Sequence, residues 1–312
     1  MATLNIPHPV PSAVEDAENL RKAFHGWGTD EKAVISILAH RDADQRKQIM
    51  VAYEELYKEN LIKRLESEIS GHFERAMYRW MFDPIEREVI FANVALKKSV
   101  DWIVIIELSC INSPDELLII KKAYQSRYKL SLEEDVAFHT SGDFRKLLVG
   151  LVSTYRYRGE EINASLAQAE AKILHNLIKQ NAFDHDEVIR ILCTRSKAQL
   201  NATFNCYKDE HGTSITKSLS CASSSEFVSA LRTAIRCIIS PEKYYVKLLR
   251  RALNKGGIDE DSLTRVIVMQ AEKDLQVIKE LYQKRANMTL DHAVSKEASG
   301  DYKKFLLALI GN

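Results

Sequence analysis

Apolar side chains recur at intervals of three and four residues along most of this chain, the spacing of one face of a helix. The strict alternation of apolar and polar residues that is typical of a half-buried strand is absent. The pattern predicts an all-α protein, with about five short helices in the first quarter that begin near Ser12-Ala13, Asp30, Asp42, Asn60 and His72. Three of these helices carry the apolar sets Val34, Ile37 and Leu38; Ile49, Ala52, Tyr53 and Leu56; and Leu61, Leu65 and Ile69.

The same helical unit occurs four times. A tyrosine returns at separations of 71, 83 and 75 residues, and the apolar helix before it returns in the same register, at Tyr53, Tyr124, Tyr207 and Tyr282. The longer second separation falls around residues 156–161, a charged stretch with a glycine, which we interpret as a linker between two halves. We expect a short tail at 1–11, repeat 1 at 12–82, repeat 2 at 83–154, the linker plus repeat 3 at 155–240, and repeat 4 at 241–312.

The turn before the second helix of repeat 1 reads Gly26-Trp27-Gly28-Thr29-Asp30, and Glu68 follows Thr29 by 39 residues. Two glycines allow positive φ angles and so expose backbone carbonyl oxygens, which are good calcium ligands, and a distant carboxylate can complete such a site. The alternative is an ordinary turn between helices in which Asp30 serves as the N-cap.

The other repeats separate these two interpretations. Repeat 4 keeps Gly257 and Glu297, but it has Ile258 in place of Thr29 and Lys255 in place of Gly26. Repeats 2 and 3 have lost both the glycines and the acid; their residues at the positions of Gly26, Gly28 and Glu68 are Lys97, Ser99 and His139, and Gln180, Ala182 and Ala222. An N-cap side chain acts only on backbone N–H groups about two or three residues later, so a capping turn has no reason to vary together with a residue some 40 positions away in sequence. The pattern therefore favours a cation site, intact in repeat 1 and altered in repeat 4.

Composition limits the partners of the chain. With 44 Lys and Arg against 43 Asp and Glu, the net charge is +1, so no overall positive field favours nucleic acid. The five cysteines are an odd number without a CxxC pair, and they predict reduced thiols. We find no signal peptide and no spanning segment, and we expect a cytoplasmic protein.

Four helical repeats, with Gly-Trp-Gly-Thr-Asp-Glu before the second helix and an acid 39 residues after the threonine, resemble the annexin family. The short tail, Trp27 and the restriction of calcium loops to repeats 1 and 4 resemble plant annexins in particular. The resemblance implies a curved disc of four five-helix repeats. It also implies calcium-dependent binding to anionic phospholipid membranes, with peripheral membrane association when calcium rises, in a protein that is not primarily an enzyme.

The resemblance also assigns site residues. Calcium ligands in repeat 1 would be the carbonyls of Phe24, Gly26 and Gly28 with Glu68, and in repeat 4 those of Leu253, Lys255 and Gly257 with Glu297. Trp27 and Gly256 would contact the membrane. Trp27 folded back over the protein's own helices is the alternative, although tryptophan favours the bilayer interface.

Further activities linked to plant annexins have candidate residues here. His40 resembles a proposed haem-linked peroxidase motif, and an enzyme of that kind is the alternative function. Ile189-Arg190-Ile191 matches a short motif suggested for F-actin binding, which would make the protein an actin-linked scaffold, although core packing is the simpler role. Cys110 and Cys237 resemble a proposed redox pair, with buried free thiols as the alternative. Self-association on membranes is also expected from the family.

Overall fold

A computed structural model describes residues 1–26, 28–97, 100–153, 156–254 and 257–312. Every regular element in those ranges is a helix, as the apolar spacing predicts. None of these helices is both long enough and apolar enough to cross a membrane.

Each repeat contributes five helices to the described part of the chain. Repeat 1 contains α1 (Ala13–Ala23), α2 (Glu31–Leu38), α3 (Ala43–Tyr57), α4 (Leu61–Glu68) and α5 (Gly71–Met81). Repeat 2 contains α6 (Pro84–Lys97), α7 (Trp102–Ile111), α8 (Pro114–Tyr128), α9 (Leu132–His139) and α10 (Gly142–Ser153). Repeat 3 contains α11 (Ala164–Lys179), α12 (Asp186–Thr194), α13 (Lys197–His211), α14 (Ile215–Ala222) and α15 (Glu226–Ile239). Repeat 4 contains α16 (Pro241–Ala252), α17 (Glu260–Gln270), α18 (Leu275–Ala286), α19 (Leu290–Glu297) and α20 (Gly300–Ile310).

The helix starts in repeat 1 follow from side-chain capping. Asp30, Asp42 and Asn60 are the N-caps of α2, α3 and α4, and each side chain accepts a hydrogen bond from a backbone N–H three residues later. Gln45 completes a capping box with Asp42. The predicted starts of these helices are confirmed to within one residue.

The tyrosine that defines the repeat lies on the third helix of each unit and is buried in all four. Tyr53, Tyr124, Tyr207 and Tyr282 lie on α3, α8, α13 and α18, and none is more than 4 % exposed. The positions that correspond between repeats in sequence therefore also occupy corresponding buried places in the structure.

The chain forms two compact units, and they do not divide at the predicted linker. The first unit contains residues Met1–Arg87 and Tyr245–Asn312, and the second contains Glu88–Tyr244. Residues 156–161 lie inside the second unit, between α10 and α11. Helices of repeats 2 and 3 pack directly on one another in this unit, α7 on α15 and α10 on α12, and the interpretation of the stretch between them as a linker stays a prediction.

In the first unit, a buried cluster joins repeats 1 and 4 with the start of α6. The Trp80 indole is fully buried and donates to the Leu38 carbonyl at 2.8 Å. Guanidiniums of Arg46 and Arg87 lie over its ring, and both pair with Glu272, at 3.2 and 2.8 Å. Burial alone would raise the pKa of the Glu272 carboxyl, but the two guanidiniums hold that pKa below its ordinary value. This anionic partner offsets the cost of burying two cations.

Candidate functional site

The loop of repeat 1 has a closed backbone frame. The Asp30 N–H donates to the Ala23 carbonyl at 2.9 Å, which brings the end of α1 against the start of α2. Between them, Gly26 and Gly28 have φ angles of 120° and 90°, where a side chain would be strained. Asp30 does cap α2, so the capping turn and the glycine loop are present in one structure.

Glu68, the last residue of α4, lies against this loop. The Thr29 hydroxyl donates to the Glu68 carboxylate oxygen Oε2 and also lies 3.3 Å from the Glu68 carbonyl oxygen. The side chain is only 17 % exposed. The structure thus brings together two residues that are 39 positions apart in sequence, at the place where the sequence predicted a shared site.

The oxygens available here suit a hard cation. In the described part of the chain, the Gly26 and Gly28 carbonyls accept no hydrogen bond. Calcium prefers carbonyl and carboxylate oxygens. No group of three or more His, Cys, Asp or Glu side chains able to hold a metal is found among the described residues.

Arg64 also belongs to this site, and the sequence analysis did not identify it. Its Nη2 atom lies 2.6 Å from Glu68 Oε1 and donates to the Phe24 carbonyl at 3.2 Å. The four-residue spacing of Arg64 and Glu68 on α4 was a visible signal, but that spacing is common on exposed helix faces. The contact with Phe24 could be found only from the fold.

The loop of repeat 4 has the same frame with different side chains. The Asp259 N–H donates to the Ala252 carbonyl at 2.9 Å, and Gly257 has a φ angle of 129°. Glu297 ends α19 as Glu68 ends α4. Its carboxylate accepts no hydrogen bond from the described residues. Lys255 and Gly256, two predicted site residues, lie outside the described residues, as does Trp27.

Both acids line one cavity of about 320 Å³ within the first unit. Glu31, Glu260 and Asp301 also line it. The His72 side chain also lines the cavity, and its Nε2 atom lies 3.6 Å from Glu260 Oε1. A concave surface lined by carboxylates attracts cations to the two loops.

The corresponding positions of repeats 2 and 3 have no such acid beside the loop. His139 replaces Glu68, and its Nδ1 lies 3.0 Å from Asp135 Oδ1 within α9. Ala222 has no oxygen on its side chain, and the loop before α12 takes another path, with the Ala182 N–H bonded to the Leu177 carbonyl. Ser99 lies outside the described residues.

A family model for annexins matches residues 15–80, 94–151, 169–233 and 244–309. This chain belongs to the annexin family. It is 60 % identical to annexin-like protein RJ4 of Fragaria ananassa over 100 % of this chain and 99 % of that protein. It is 52 % identical to annexin D7 of Arabidopsis thaliana, also over 100 % and 99 % of the two chains. The resemblance to plant annexins is confirmed.

Solved annexin structures match this annexin over nearly their full length. Chicken annexin V aligns with a TM-score of 0.94 and 31 % identity, over 100 % of this chain and 99 % of that one. A calcium-bound structure of annexin (Sm)1 aligns with a TM-score of 0.81 and 27 % identity, over 100 % and 93 %. The all-α, four-repeat fold class is confirmed by these matches.

Other predicted residues of this annexin have ordinary structural surroundings. The His40 Nδ1 lies 2.8 Å from the Asn5 carbonyl oxygen, so this ring anchors the N-terminal segment. Ile191 is fully buried on α12, and the Arg190 guanidinium pairs with Glu187 at 2.8 Å, which raises the pKa of Arg190. These contacts do not test the haem and actin hypotheses, which stay predictions.

The two cysteines proposed as a redox pair lie in the second unit. Cys110 and Cys237 are both fully buried, and burial raises the pKa of each thiol. A raised pKa keeps a thiol in its less reactive protonated form. The surroundings are those of packed core thiols, and the redox role stays a prediction.

Proposed function

We propose that this annexin binds anionic phospholipid membranes in a calcium-dependent way, mainly through the loop of repeat 1. The carbonyls of Phe24, Gly26 and Gly28 and the carboxylate of Glu68 would hold the calcium ion. The placement of Glu68 against a loop whose glycine carbonyls accept no hydrogen bond from the described residues supports this assignment most strongly.

The ligand set explains why a membrane would take part. Three carbonyls and a bidentate carboxylate offer five oxygens, fewer than the roughly six to eight that calcium takes. A calcium ion bound by these five oxygens would keep unfilled coordination positions, and a lipid phosphate can occupy them. Calcium and anionic lipid would therefore each increase the affinity of the protein for the other.

Trp27 stands between the two glycines in sequence and would add an apolar contact to this bridge. Its indole can rest in the headgroup region with its N–H in contact with water. Burying about 150–250 Å² of ring at about 25 cal/mol per Å² contributes about 4–6 kcal/mol as an upper bound. Gly256 stands at the corresponding position of repeat 4 and has no side chain to insert.

The loop of repeat 4 would be a second, weaker site. Leu253, Lys255 and Gly257 would supply the carbonyls, and Glu297 the carboxylate. Ile258 cannot donate the hydrogen bond that Thr29 gives to Glu68, and the lysine at position 255 would add a positive charge to a loop meant to hold a cation. We infer a cytoplasmic protein that associates with the membrane surface as calcium rises.

Sedimentation with vesicles tests this function. The wild-type protein should pellet with phosphatidylserine-containing vesicles in calcium and return to the supernatant on chelation. Glu68→Gln should lose most of this binding, because an amide oxygen is a weaker calcium ligand than a bidentate carboxylate. Glu66→Gln is the matched control, since Glu66 lies on the same helix and is exposed. If Glu68→Gln sediments with vesicles as the wild-type protein does, the assignment of repeat 1 as the main site is contradicted.

A further inference from the structure

Arg64 binds two of the oxygens that the proposed function gives to calcium. Its Nη2 atom lies 2.6 Å from Glu68 Oε1 and 3.2 Å from the Phe24 carbonyl oxygen. One positively charged nitrogen thus joins the distal acid to the start of the loop. A calcium ion bound by the same two residues would need the same oxygens.

Both oxygens of the Glu68 carboxylate are engaged. Oε1 forms an ion pair with Arg64 Nη2, and Oε2 accepts a hydrogen bond from the Thr29 hydroxyl. Each carboxylate oxygen has two lone pairs, so the neutral Thr29 hydroxyl can stay on Oε2 while calcium binds, but bidentate coordination would place the calcium ion beside the positive guanidinium at Oε1. Even a guanidinium that stayed nearby would repel a divalent cation, because the side chains are half-buried and water screens the repulsion incompletely.

The guanidinium has another carboxylate within reach. Arg64 Nη1 lies 3.8 Å from Glu59 Oε1, and Arg64 also lies over the Phe24 ring at 5.9 Å. Glu59 is bound more closely by Arg21, at 2.7 Å. Arg64 can thus move from Glu68 toward Glu59 without leaving all of its anionic partners.

The other repeats have no cation at this position. The residues in register with Arg64 are Asp135 in repeat 2, Ser218 in repeat 3 and Ala293 in repeat 4. Ala293 is buried beside the last turn of α19, so nothing positive from that position reaches Glu297. The arrangement is specific to the loop with the complete ligand set.

We propose that Arg64 is an internal cation that competes with calcium for Glu68 and the Phe24 carbonyl, and so sets the calcium affinity of the repeat 1 loop. This inference rests on the proposed function. It predicts the direction in which calcium affinity changes when Arg64 is substituted. If Arg64 competes, its loss strengthens calcium binding; if Arg64 instead positions Glu68 and the loop for calcium, its loss weakens binding.

The test measures calcium binding directly. Calorimetric titration with calcium, without membranes, is carried out on full-length Arg64→Gln and Arg64→Ala in a Glu297→Gln background, which isolates repeat 1. We expect calcium to bind roughly three- to tenfold more tightly in both variants, the size of one partly exposed charge-assisted contact. Lys63→Gln is the matched control, since Lys63 precedes Arg64 on α4 and is exposed, and its affinity should stay unchanged.

A further variant shows whether the competition is for Glu68. Adding Glu68→Gln to Arg64→Gln should remove the gain, because the contested carboxylate is then absent. Unchanged or weaker calcium binding in both Arg64 variants would overturn the proposal. Vesicle sedimentation of the wild-type protein reports separately on the proposed function, so membrane binding can succeed while the role of Arg64 fails.

Discussion

The loops of repeats 1 and 4 share one backbone frame and differ in the side chains around the acid. In both, the N-cap aspartate closes the loop by donating its backbone N–H to a carbonyl at 2.9 Å. A glycine with a positive φ angle shapes each turn, Gly28 at 90° and Gly257 at 129°. Glu68 is held by Thr29 and Arg64, whereas Ile258 and Ala293 occupy the corresponding positions in repeat 4. In our proposal the backbone frame would supply carbonyl ligands in both loops, and the neighbouring side chains would set how tightly calcium binds.

The two acids together should account for all calcium-dependent membrane binding. Glu68→Gln combined with Glu297→Gln is expected to abolish sedimentation with phosphatidylserine vesicles at any calcium concentration that the wild-type protein needs. Glu297→Gln alone should cost much less than Glu68→Gln alone. Equal losses from the two single variants would contradict the ranking of the loops.

Trp27 is expected to distinguish the loops in a second way. Trp27→Ser should weaken vesicle binding by roughly tenfold, because the apolar contact of the indole with the interface is lost. Calcium binding without lipid should stay the same, since the carbonyl ligands are backbone atoms. Titration of vesicles at fixed calcium measures the first effect, and calorimetry without vesicles measures the second. A Trp27→Ser protein with full vesicle affinity would favour the ring packing on its own helices.

The smallest effect should come from restoring a hydroxyl to repeat 4. Ile258→Thr introduces a donor that can hold Glu297 as Thr29 holds Glu68, and calcium should bind there roughly two- to fivefold more tightly, the range of one net hydrogen bond. The Glu68→Gln background isolates this site in calorimetry. Ile258→Val is the control, because valine has the shape of threonine without the hydroxyl. An equal gain with valine would show that bulk, not the hydrogen bond, limits repeat 4.

The sequence predicts the parts of this molecule that depend on local chemistry. The N-caps Asp30, Asp42 and Asn60 act through neighbouring backbone, so their helix starts could be predicted. Glu68 could be associated with its loop because the chain contains four copies of the unit, two of which have lost both features together.

Features that depend on packing between distant segments could not be predicted in this way. The contact of Arg64 with the Phe24 carbonyl requires α4 to lie against the end of α1. Residues 156–161 have the composition of a linker, yet Arg156 is buried there and donates to the Leu192 carbonyl at 2.7 Å. Composition reports exposure on average, and it does not show which elements pack on either side of a charged stretch.

A crystal structure of the full chain saturated with calcium tests the central claim most directly. The account predicts an ion about 2.3–2.6 Å from the carbonyl oxygens of Phe24, Gly26 and Gly28 and from both Glu68 carboxylate oxygens. The Arg64 guanidinium should then have left Glu68 Oε1. A calcium-saturated crystal in which the ions lie elsewhere, with Arg64 still 2.6 Å from Glu68, would contradict it.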